Sequence, residues 1–342
     1  MSQKPNNIPS LILKTELLKG YEPERVVKIQ YGLANEVYRL DFKNKRLILK
    51  IYRELAKSDI SDFLISRCTQ NGILTAKTLD SGLCLGKKYV LTNFIDGKHI
   101  YNPGDREITQ IIDLVIKTPT FYTQQGYRFT IYDKINNYYN DVKKISKTKL
   151  QHTIVNNVIK MYESRLKKTC TSSYFVVHGD ISPTNLLWTK RGDIYLLDFD
   201  EAILAPAEYD LIVAVVKFSK RGPFFDIKLA RKMIEKYTKL DRMHKMSELS
   251  NVWDLYILKV LLEKIYLHET GAIDLYSKEQ MVDNWLDWYN LLTDKDIRQQ
   301  LFSITRSLSY VSSRKFLYRT SQVTGPQRRA SLTSNYRNTF TL

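Results

Sequence analysis

Two short segments of the sequence combine side chains that could carry out chemistry. The first, VVHGDISPTNLLW, places Asp180 two residues after His178 and five residues before Asn185. The second, IYLLDFDEA, ends a strand-like apolar run at Asp198. Two carboxylates and a carboxamide delivered from neighbouring strand ends can orient a hydroxyl group and hold Mg²⁺ against a nucleotide. The two segments therefore indicate phosphoryl transfer.

The order and spacing of these residues follow the protein-kinase pattern H-x-D-x-x-x-x-N, then D-F-x. Gly179 stands where protein kinases usually carry arginine. With that glycine, the two segments resemble those of the aminoglycoside phosphotransferase and choline kinase family, the small-molecule relatives of protein kinases. The resemblance implies an α+β, bilobal, protein-kinase-like fold, with a small antiparallel β N-lobe and a mainly helical C-lobe. It also implies an enzyme that transfers the γ-phosphate of ATP or GTP to a hydroxyl group of an aminoglycoside- or choline-like small molecule.

The resemblance assigns roles to five residues in and after the two segments. Asp180 is the expected catalytic residue, which accepts a hydrogen bond from the acceptor hydroxyl. Asn185 and Asp198 are the expected Mg²⁺ ligands. His178 and Asp210 are expected to brace the catalytic loop, and Asp210 could at the same time be an ordinary N-cap of the apolar run that follows it.

A lysine that contacts the α- and β-phosphates is expected near the N-terminus. Lys50 ends the run RLILK and matches this strand lysine of the family. Its acidic partner should lie on the next helix, where the family usually has glutamate and this chain offers Asp62 or Asp59. We favour Asp62, although either carboxylate could simply stabilise the first turn of the helix.

Two further segments are expected to contact the nucleotide. Asn35 ends the run YGLAN, which occupies the place of the phosphate-covering loop, although a plain hairpin turn explains this run equally well. Asn93 and Phe94 lie in the expected connector between the lobes, where backbone groups would bind the purine.

Hydrophobic patterning predicts the elements that position these residues. Strands are predicted at 26–30, 36–42 and 46–52, as a pair within 73–85 that turns at 80–82, and from 87 towards a turn at 96–97. Helices are predicted at 59–69, 108–116, 154–166, 211–218, 227–237, 252–267 and 281–292. The corresponding division is an N-lobe at 1–95, a C-lobe at 96–319 and a basic, flexible tail at 320–342.

Composition narrows the class of protein. The chain has 342 residues, of which 43% are hydrophobic and 26% charged, as in ordinary globular proteins. Three scattered cysteines indicate incidental free thiols in a reducing cytoplasm. No apolar run reaches the roughly 20 residues that a membrane-spanning helix needs. This pattern predicts a cytoplasmic protein without a membrane span and sets no oligomeric state.

The formal net charge of +17 raises the question of an anionic partner. The charge is widely spread, which is typical of a solvated surface and does not favour a nucleic-acid partner. After Asp296, however, the chain has eight basic and no acidic residues. A catalytically inactive, kinase-like basic binding module is therefore one alternative. A kinase of a sugar, a cell-envelope precursor or a protein is the other.

The acceptor is expected to bind on the later helices. Aromatic side chains there could contact a cationic acceptor, or could simply belong to the core: Tyr256, Trp285 and Trp288. Acidic side chains there could supply negative potential or be solvated: Asp254, Glu263, Glu269, Asp274, Asp283 and Asp287. Only eleven residues separate Asp198 from Asp210. Because a long activation segment does not fit there, small-molecule acceptors are favoured over proteins.

Overall fold

The structure is a computed structural model of the chain. It describes residues 23–29, 35–52, 58–84, 87–120, 129–149, 153–165, 174–240, 249–270 and 278–302. The predicted basic tail and most of the YGLAN run lie outside these residues. The predicted division into lobes and tail stays a prediction.

The first elements form an antiparallel sheet. In chain order they are β1 (Arg25–Ile29), β2 (Asn35–Asp41), β3 (Arg46–Tyr52), α1 (Ser58–Gln70), β4 (Leu74–Thr75), β5 (Thr78–Cys84) and β6 (Lys87–Asn93). The sheet has the order β1-β2-β3-β6-β5, and each neighbouring pair is antiparallel. These strands confirm the predicted small antiparallel sheet.

Alternation along β3 explains why Lys50 is available for chemistry. Leu47, Leu49 and Ile51 are buried in the core of the sheet. Successive side chains of a strand point to opposite faces. Lys50 therefore leaves this core and faces the helical part of the molecule.

The strand pair predicted to turn at residues 80–82 is wrong. Strand β5 runs straight through these residues and pairs with β6, with a register shift between Thr78 and Asp80. The hydroxyl of Tyr89 donates to Asp80 at 3.0 Å, and a Cβ on Gly82 would lie 3.0 Å from the same ring. The polar and glycine residues thus fit an irregular strand against a tyrosine, a contact that local turn propensity does not reveal.

Helix α1 packs into the helical part and not into the core of the sheet. Its buried side chains Ile60, Leu64 and Cys68 join the large apolar cluster formed by the later helices. The hydroxyl of Ser61 donates to the carbonyl of Phe199 at 2.9 Å. Cys68 is a buried free thiol, as predicted. The helix is therefore fixed to the segment that contains Asp198.

The rest of the described chain is mainly helical. Its elements are β7 (Gly97–His99), α2 (Asp105–Lys117), α3 (Ile131–Lys149), α4 (Thr153–Arg165), β8 (Phe175–Val177), β9 (Leu186–Thr189), β10 (Ile194–Leu196), β11 (Ile203–Ala205), α5 (Tyr209–Ser219), β12 (Lys220–Arg221), β13 (Phe224–Phe225), α6 (Ile227–Leu240), α7 (Leu249–Glu269) and α8 (Lys278–Thr293). Residues 295–302 are also helical.

Helix α5 lies at the centre of this part. Its residues from Tyr209 to Val216 are all buried. A helix that is apolar on all sides must be surrounded by other elements, and the prediction of a buried helix here is confirmed. Lys217, in its last turn, is the first side chain of the helix to reach solvent.

Helix α3 is absent from the sequence-based prediction. Its buried residues Ile131, Ile135, Tyr139 and Val142 have helical spacing, but asparagines, tyrosines and lysines separate them and weaken the apolar stripe. Packing against α7 provides the stabilisation that the local sequence lacks.

Two small sheets position the chemistry-bearing segments. Strand β8 pairs with β11, and a second sheet has the order β4-β10-β9-β7. Strands β9 and β10 form a hairpin that begins directly after Asn185 and ends two residues before Asp198. The amide of Leu197 donates to the carbonyl of Asn185 at 2.9 Å. The hairpin therefore returns the chain so that Asn185 and Asp198 lie at neighbouring strand ends.

The predicted α+β class is confirmed, with an antiparallel sheet followed by a mainly helical part. Among the helices of the described residues, none has the length and apolar character needed to cross a bilayer.

Candidate active site

The predicted catalytic loop, residues 178–185, is held at its base by one carboxylate. Asp210, at the start of α5, is fully buried and accepts the amide protons of His178 and Gly179, each at 2.8 Å. Burial raises the pKa of Asp210, although His178 and the two hydrogen bonds from backbone amides oppose this increase. The contacts place Asp210 beneath the loop, where the resemblance implied a brace.

His178 links the loop to the strand that precedes Asp198. Its Nε2 lies 3.0 Å from the carbonyl of Leu197, and its Nδ1 accepts the amide proton of Asp180 at 3.2 Å. With Nδ1 as an acceptor, Nε2 is the ring nitrogen that donates to the Leu197 carbonyl. The imidazole ring also packs edge-on against Phe199, with centroids 4.8 Å apart. Both ring nitrogens are thus used in bracing.

Gly179 is required by the space around the loop. Its φ of +79° lies in the left-handed region, and a Cβ would lie 2.3 Å from the carbonyl oxygen of Glu201. This distance is far below any normal contact. The arginine of protein kinases therefore does not fit at this position.

Asp180 is held by one partner on each carboxylate oxygen. The Nδ2 of Asn185 donates to Oδ2 of Asp180 at 2.8 Å and to its carbonyl at 2.9 Å. The Nζ of Lys217 lies 3.1 Å from Oδ1. Burial alone would lower the pKa of Lys217, but Tyr256 and Asp180 raise it above its usual value. Sequence reasoning missed Lys217, because a lone lysine after an apolar helix carries no recognisable signal.

Asp198 meets Lys50 across the gap between the sheet and the helical part. Asp198 has φ +60° and ψ +75°, a left-handed conformation that is uncommon outside glycine and typical of functional sites. The Nζ of Lys50 lies 2.7 Å from Asp198 and 2.7 Å from Asp200. Asn35, at the start of β2, donates its side-chain amide to Asp200. The structure therefore brings Lys50, Asp198 and Asn35 together.

Electrostatics keeps Lys50 charged in this position. Burial alone would lower the pKa of Lys50, but Asp198 and Asp200 outweigh that effect and raise it. Tyr52 lies in the same environment, where burial raises its pKa to about 12. The site thus has a fixed positive charge opposite two carboxylates.

The expected Lys50–Asp62 pair is not formed and needs correction. The carboxylate of Asp62 lies 2.8 Å from Nζ of Lys88 on β6. Both carboxylates paired with Lys50 come from the DFD segment. Aspartate is one methylene shorter than glutamate, and on α1 its carboxylate reaches the neighbouring strand instead. The side chain of Asp59 lies outside the described residues.

The connector residues use their amides within the sheet. The amide of Asn93 donates to Lys77 at 3.1 Å, and its side-chain oxygen accepts the Lys77 amide. The amide of Phe94 donates to Arg46 at 3.3 Å, and the Arg46 guanidinium lies 4.2 Å from the Phe94 ring centroid. These two amides and the Asn93 side chain are therefore not directed at a base in this structure.

A buried ionic network lies behind the catalytic loop. Lys259 on α7 contacts Glu263 at 2.7 Å and Glu201 at 3.4 Å, and Lys134 on α3 also pairs with Glu201. Burial alone would raise the pKa of Glu263, but Lys259 and Lys134 lower it. The network fixes Glu201, whose carbonyl limits the space at Gly179. Sequence reasoning missed it because its members lie far apart in the chain.

Comparison with known families agrees with this geometry. A model described as the phosphotransferase enzyme family matches residues 25–243, well over half of the chain. The chain belongs to this family. The predicted relationship to aminoglycoside phosphotransferases and choline kinases is confirmed, and the chain is a phosphotransferase with an alcohol group as acceptor.

Solved structures of the same type share the fold. A spectinomycin phosphotransferase in complex with ADP and spectinomycin has a TM-score of 0.61 at 17% identity, covering 84% of this chain and 96% of that one. An amicoumacin kinase in complex with AMP-PNP and Ca²⁺ has a TM-score of 0.63 at 17% identity, covering 81% of this chain and 92% of that one. A choline kinase from Streptococcus pneumoniae has a TM-score of 0.61 at 15% identity, covering 83% of this chain and 98% of that one. Among curated protein sequences, none matches this phosphotransferase significantly.

The acidic residues expected to bind an acceptor have other partners in the phosphotransferase. Asp254 pairs with Arg298, Glu263 with Lys259 at 2.7 Å, and Asp287 lies 3.6 Å from Lys220. Glu269 lies 3.2 Å from His268. The side chains of Asp274 and Asp283 lie outside the described residues. The three aromatic residues named with them are buried, in agreement with the core interpretation: Tyr256, Trp285 and Trp288.

Proposed function

We propose that this phosphotransferase transfers the γ-phosphate of ATP or GTP to a hydroxyl group of a small molecule, with Mg²⁺ as cofactor. One observation carries the proposal. A lysine and two aspartates from opposite sides of a gap, Lys50 with Asp198 and Asp200, lie beside a loop that presents Asp180 and Asn185. A phosphoryl-transfer site needs charge stabilisation and positioning in this combination.

Asp180 is the proposed catalytic residue. The acceptor hydroxyl donates a hydrogen bond to its carboxylate, which orients the oxygen towards the γ-phosphorus. The bond from the acceptor oxygen to phosphorus forms as the bond from phosphorus to the β,γ-bridging oxygen breaks. The nucleoside diphosphate leaves with that electron pair, and the hydroxyl proton passes to Asp180 and then to solvent. Positioning by Asn185 and the His178 brace supplies most of the protein's contribution.

Lys50 is the proposed contact for the α- and β-phosphates. Its raised pKa keeps the ammonium group charged, and the side chain can transfer from the two carboxylates to phosphate oxygens when the nucleotide binds. Asn35 lies near enough to contact the same phosphates, since it already touches Asp200. The segment around Asn93 and Phe94 is the proposed base-binding connector. The amide protons of both residues are bonded within the sheet, so other groups of this segment would contact the purine.

The donor set fits a Mg²⁺ ion. The Nδ2 of Asn185 is used by Asp180, which leaves its Oδ1 as the atom that would hold the metal. Asp198 offers a half-exposed carboxylate at the neighbouring strand end. No cluster of three or more acidic, histidine or cysteine ligands occurs in the described part of the chain, and Mg²⁺ bound with phosphates and water needs only one or two carboxylates. When bound, the ion would neutralise phosphate charge.

The segment after the DFD motif favours a small acceptor. Residues 203–205 form β11, which is buried and paired with β8. Buried backbone that is already paired offers no extended platform for a peptide. A protein acceptor is therefore the weaker alternative.

A coupled assay of ADP release tests the proposal. We expect Asp180→Asn and Asp198→Asn to lower kcat by about 10²–10⁴-fold, with unfolding temperatures close to that of the unmodified protein. Asp113→Asn is the matched control, because Asp113 is an exposed aspartate on α2, paired with Lys117. Turnover of Asp180→Asn within threefold of the control would refute the catalytic assignment. No turnover with any acceptor, together with no stabilisation by Mg-ATP, would instead support an inactive binding module.

A further inference from the structure

Three lysines lie near one another between Asp180 and Trp288. Lys217 is 3.1 Å from the Asp180 carboxylate. One turn further on, the Nζ of Lys220 lies 5.2 Å from the centre of the Trp288 ring. The Nζ of Lys264, on α7, lies 5.8 Å from the centre of the same ring. We call these three residues the lysine cluster.

An aromatic wall connects the lysine cluster to the catalytic loop. The rings of Tyr256 and Trp288 have centroids 6.5 Å apart. Burial raises the pKa of Tyr256 to about 12. The charge of Lys217 lowers this pKa, and the charge of Asp180 raises it. Its hydroxyl oxygen is buried and has no hydrogen-bond partner among the described residues. Tyr256 therefore lies close to both Lys217 and Asp180.

The positive charge of the cluster is not fully compensated. Of its members, Lys220 has Asp287 as a partner at 3.6 Å, while Lys217 shares the catalytic carboxylate. Lys264 forms no ion pair with any residue that the structure describes. Burial lowers the pKa of Lys264, and the charges of Lys217, Lys220 and Lys259 lower it further against the opposing effect of Glu263. Lys264 is thus a half-buried cation in a field of like sign.

Such a site suits an anion and opposes a cation. Ammonium groups around a partly desolvated site bind phosphate or carboxylate as point charges. A quaternary ammonium acceptor such as choline would meet repulsion at the same place, because like charges brought together in a partly buried site cost free energy. The acidic side chains that the structure describes on α7 and α8 and that could attract it each have a basic partner, as described above: Asp254, Glu263, Glu269 and Asp287.

We propose that the acceptor carries a negatively charged group, a phosphate ester or a carboxylate, which binds at the lysine cluster while its hydroxyl contacts Asp180. The proposal rests on the proposed function for the position of the hydroxyl. It adds the charge of the acceptor. Lys264 is the principal contact, and Lys217 turns from Asp180 towards the anionic group as the acceptor hydroxyl takes its place.

Matched acceptors of different charge test the proposal. With saturating Mg-ATP, ADP release is measured for glucosamine, glucose, glucuronate and glucose 6-phosphate, and for choline, glycerol, glycerate and glycerol 3-phosphate. We expect kcat/KM of an anionic member to exceed that of its neutral and cationic counterparts by about tenfold or more, as one charge-assisted contact allows. Preference for a cationic or neutral member would overturn the proposal.

Substitutions at the cluster locate the effect. Lys264→Met should lower kcat/KM for the anionic acceptor by about 10- to 100-fold and leave that for its neutral counterpart within twofold. Lys264→Arg should restore most of the loss, because it keeps the charge. The control is Lys239→Met, an exposed lysine at the end of α6. Equal effects of Lys264→Met and Lys239→Met would contradict the assignment.

A binding probe separates this inference from the proposed function. Inorganic phosphate, titrated in the presence of saturating Mg-ADP, should raise the unfolding temperature of the unmodified protein and of Asp180→Asn. It should have little effect on Lys264→Met. If no acceptor is turned over but this difference remains, the anion site stands and the proposed reaction fails. If phosphate stabilises all variants equally, the anion site fails, whatever the turnover.

Discussion

The substitution Gly179→Ala adds one methyl group to the catalytic loop at the point of closest approach. Its Cβ would lie 2.3 Å from the Glu201 carbonyl oxygen, so the two must separate by at least 0.7 Å to reach the 3.0 Å limit of real contacts. Neither side can move freely. Asp210 holds the loop through two hydrogen bonds of 2.8 Å from backbone amides, and Glu201 is paired with Lys134 and Lys259.

Two effects add up in this variant. The left-handed conformation costs a residue with a Cβ about 1–2 kcal/mol. Forcing the loop and the Glu201 backbone apart adds roughly 1–3 kcal/mol, as in other overpacked sites. Because Asp180 follows Gly179 directly, a shift of this size at the reacting group should lower kcat by about 100-fold.

Gly72→Ala is the control that isolates the second effect. Gly72 has φ +75°, nearly the same as the +79° of Gly179, but nothing lies within 4 Å of its Cβ position. It should therefore show only the conformational cost, with normal kcat. Denaturant unfolding compares the two free energies, and steady-state ADP release compares turnover. Equal unfolding midpoints, with kcat of Gly179→Ala within threefold of Gly72→Ala, would refute the argument that the Glu201 carbonyl requires glycine here.

Three further outcomes follow from the site. Lys50→Met should lower kcat/KM for ATP by about two orders of magnitude because it removes two charge-assisted contacts. Asp62→Asn should change kcat/KM for ATP less than threefold. An equal loss in both variants would restore Asp62 as the partner of Lys50. Lys259→Met should lower the free energy of unfolding by about 3 kcal/mol, because it leaves Glu263 buried with less compensation; urea unfolding beside Lys239→Met measures this, and equal midpoints would contradict it. The pKa of Lys264 is lowered, so Lys264 loses its charge at a lower pH than an ordinary lysine does. As pH rises through that range, kcat/KM for an anionic acceptor should fall. Lys264→Arg should move this fall to higher pH, and an unchanged pH profile would exclude Lys264 as its cause.

The sequence predicts those parts of the site that depend on short, ordered spacings. His178, Asp180 and Asn185 follow one another on a single loop, so their proximity needs no knowledge of the rest of the fold. The buried helix at Leu211–Val216 was predictable because its apolar run has only one solution in a globular protein. Asp198 was predictable because a strand ends two residues before it.

Other parts depend on partners that are distant in sequence. The Lys88–Asp62 pair joins β6 to α1, and Lys217 meets Asp180 from a helix that begins near Asp210. The turn expected at residues 80–82 failed for the same reason, since Tyr89 on the neighbouring strand decides the local conformation. Helix α3 has a weak stripe of its own and is stabilised through packing against α7.

The position of α1 determines which part of the molecule can move. Its apolar side chains lie in the core of the helical part, and Ser61 holds the backbone just after Asp198. Any movement of the sheet relative to the helical part would therefore leave α1 with the helices. Protein kinases are switched off by displacing the corresponding helix. Here that displacement would remove Ile60, Leu64 and Cys68 from the core of the helical part. Such a displacement would cost the free energy gained by burying these side chains, so the packing of α1 opposes this form of inactivation.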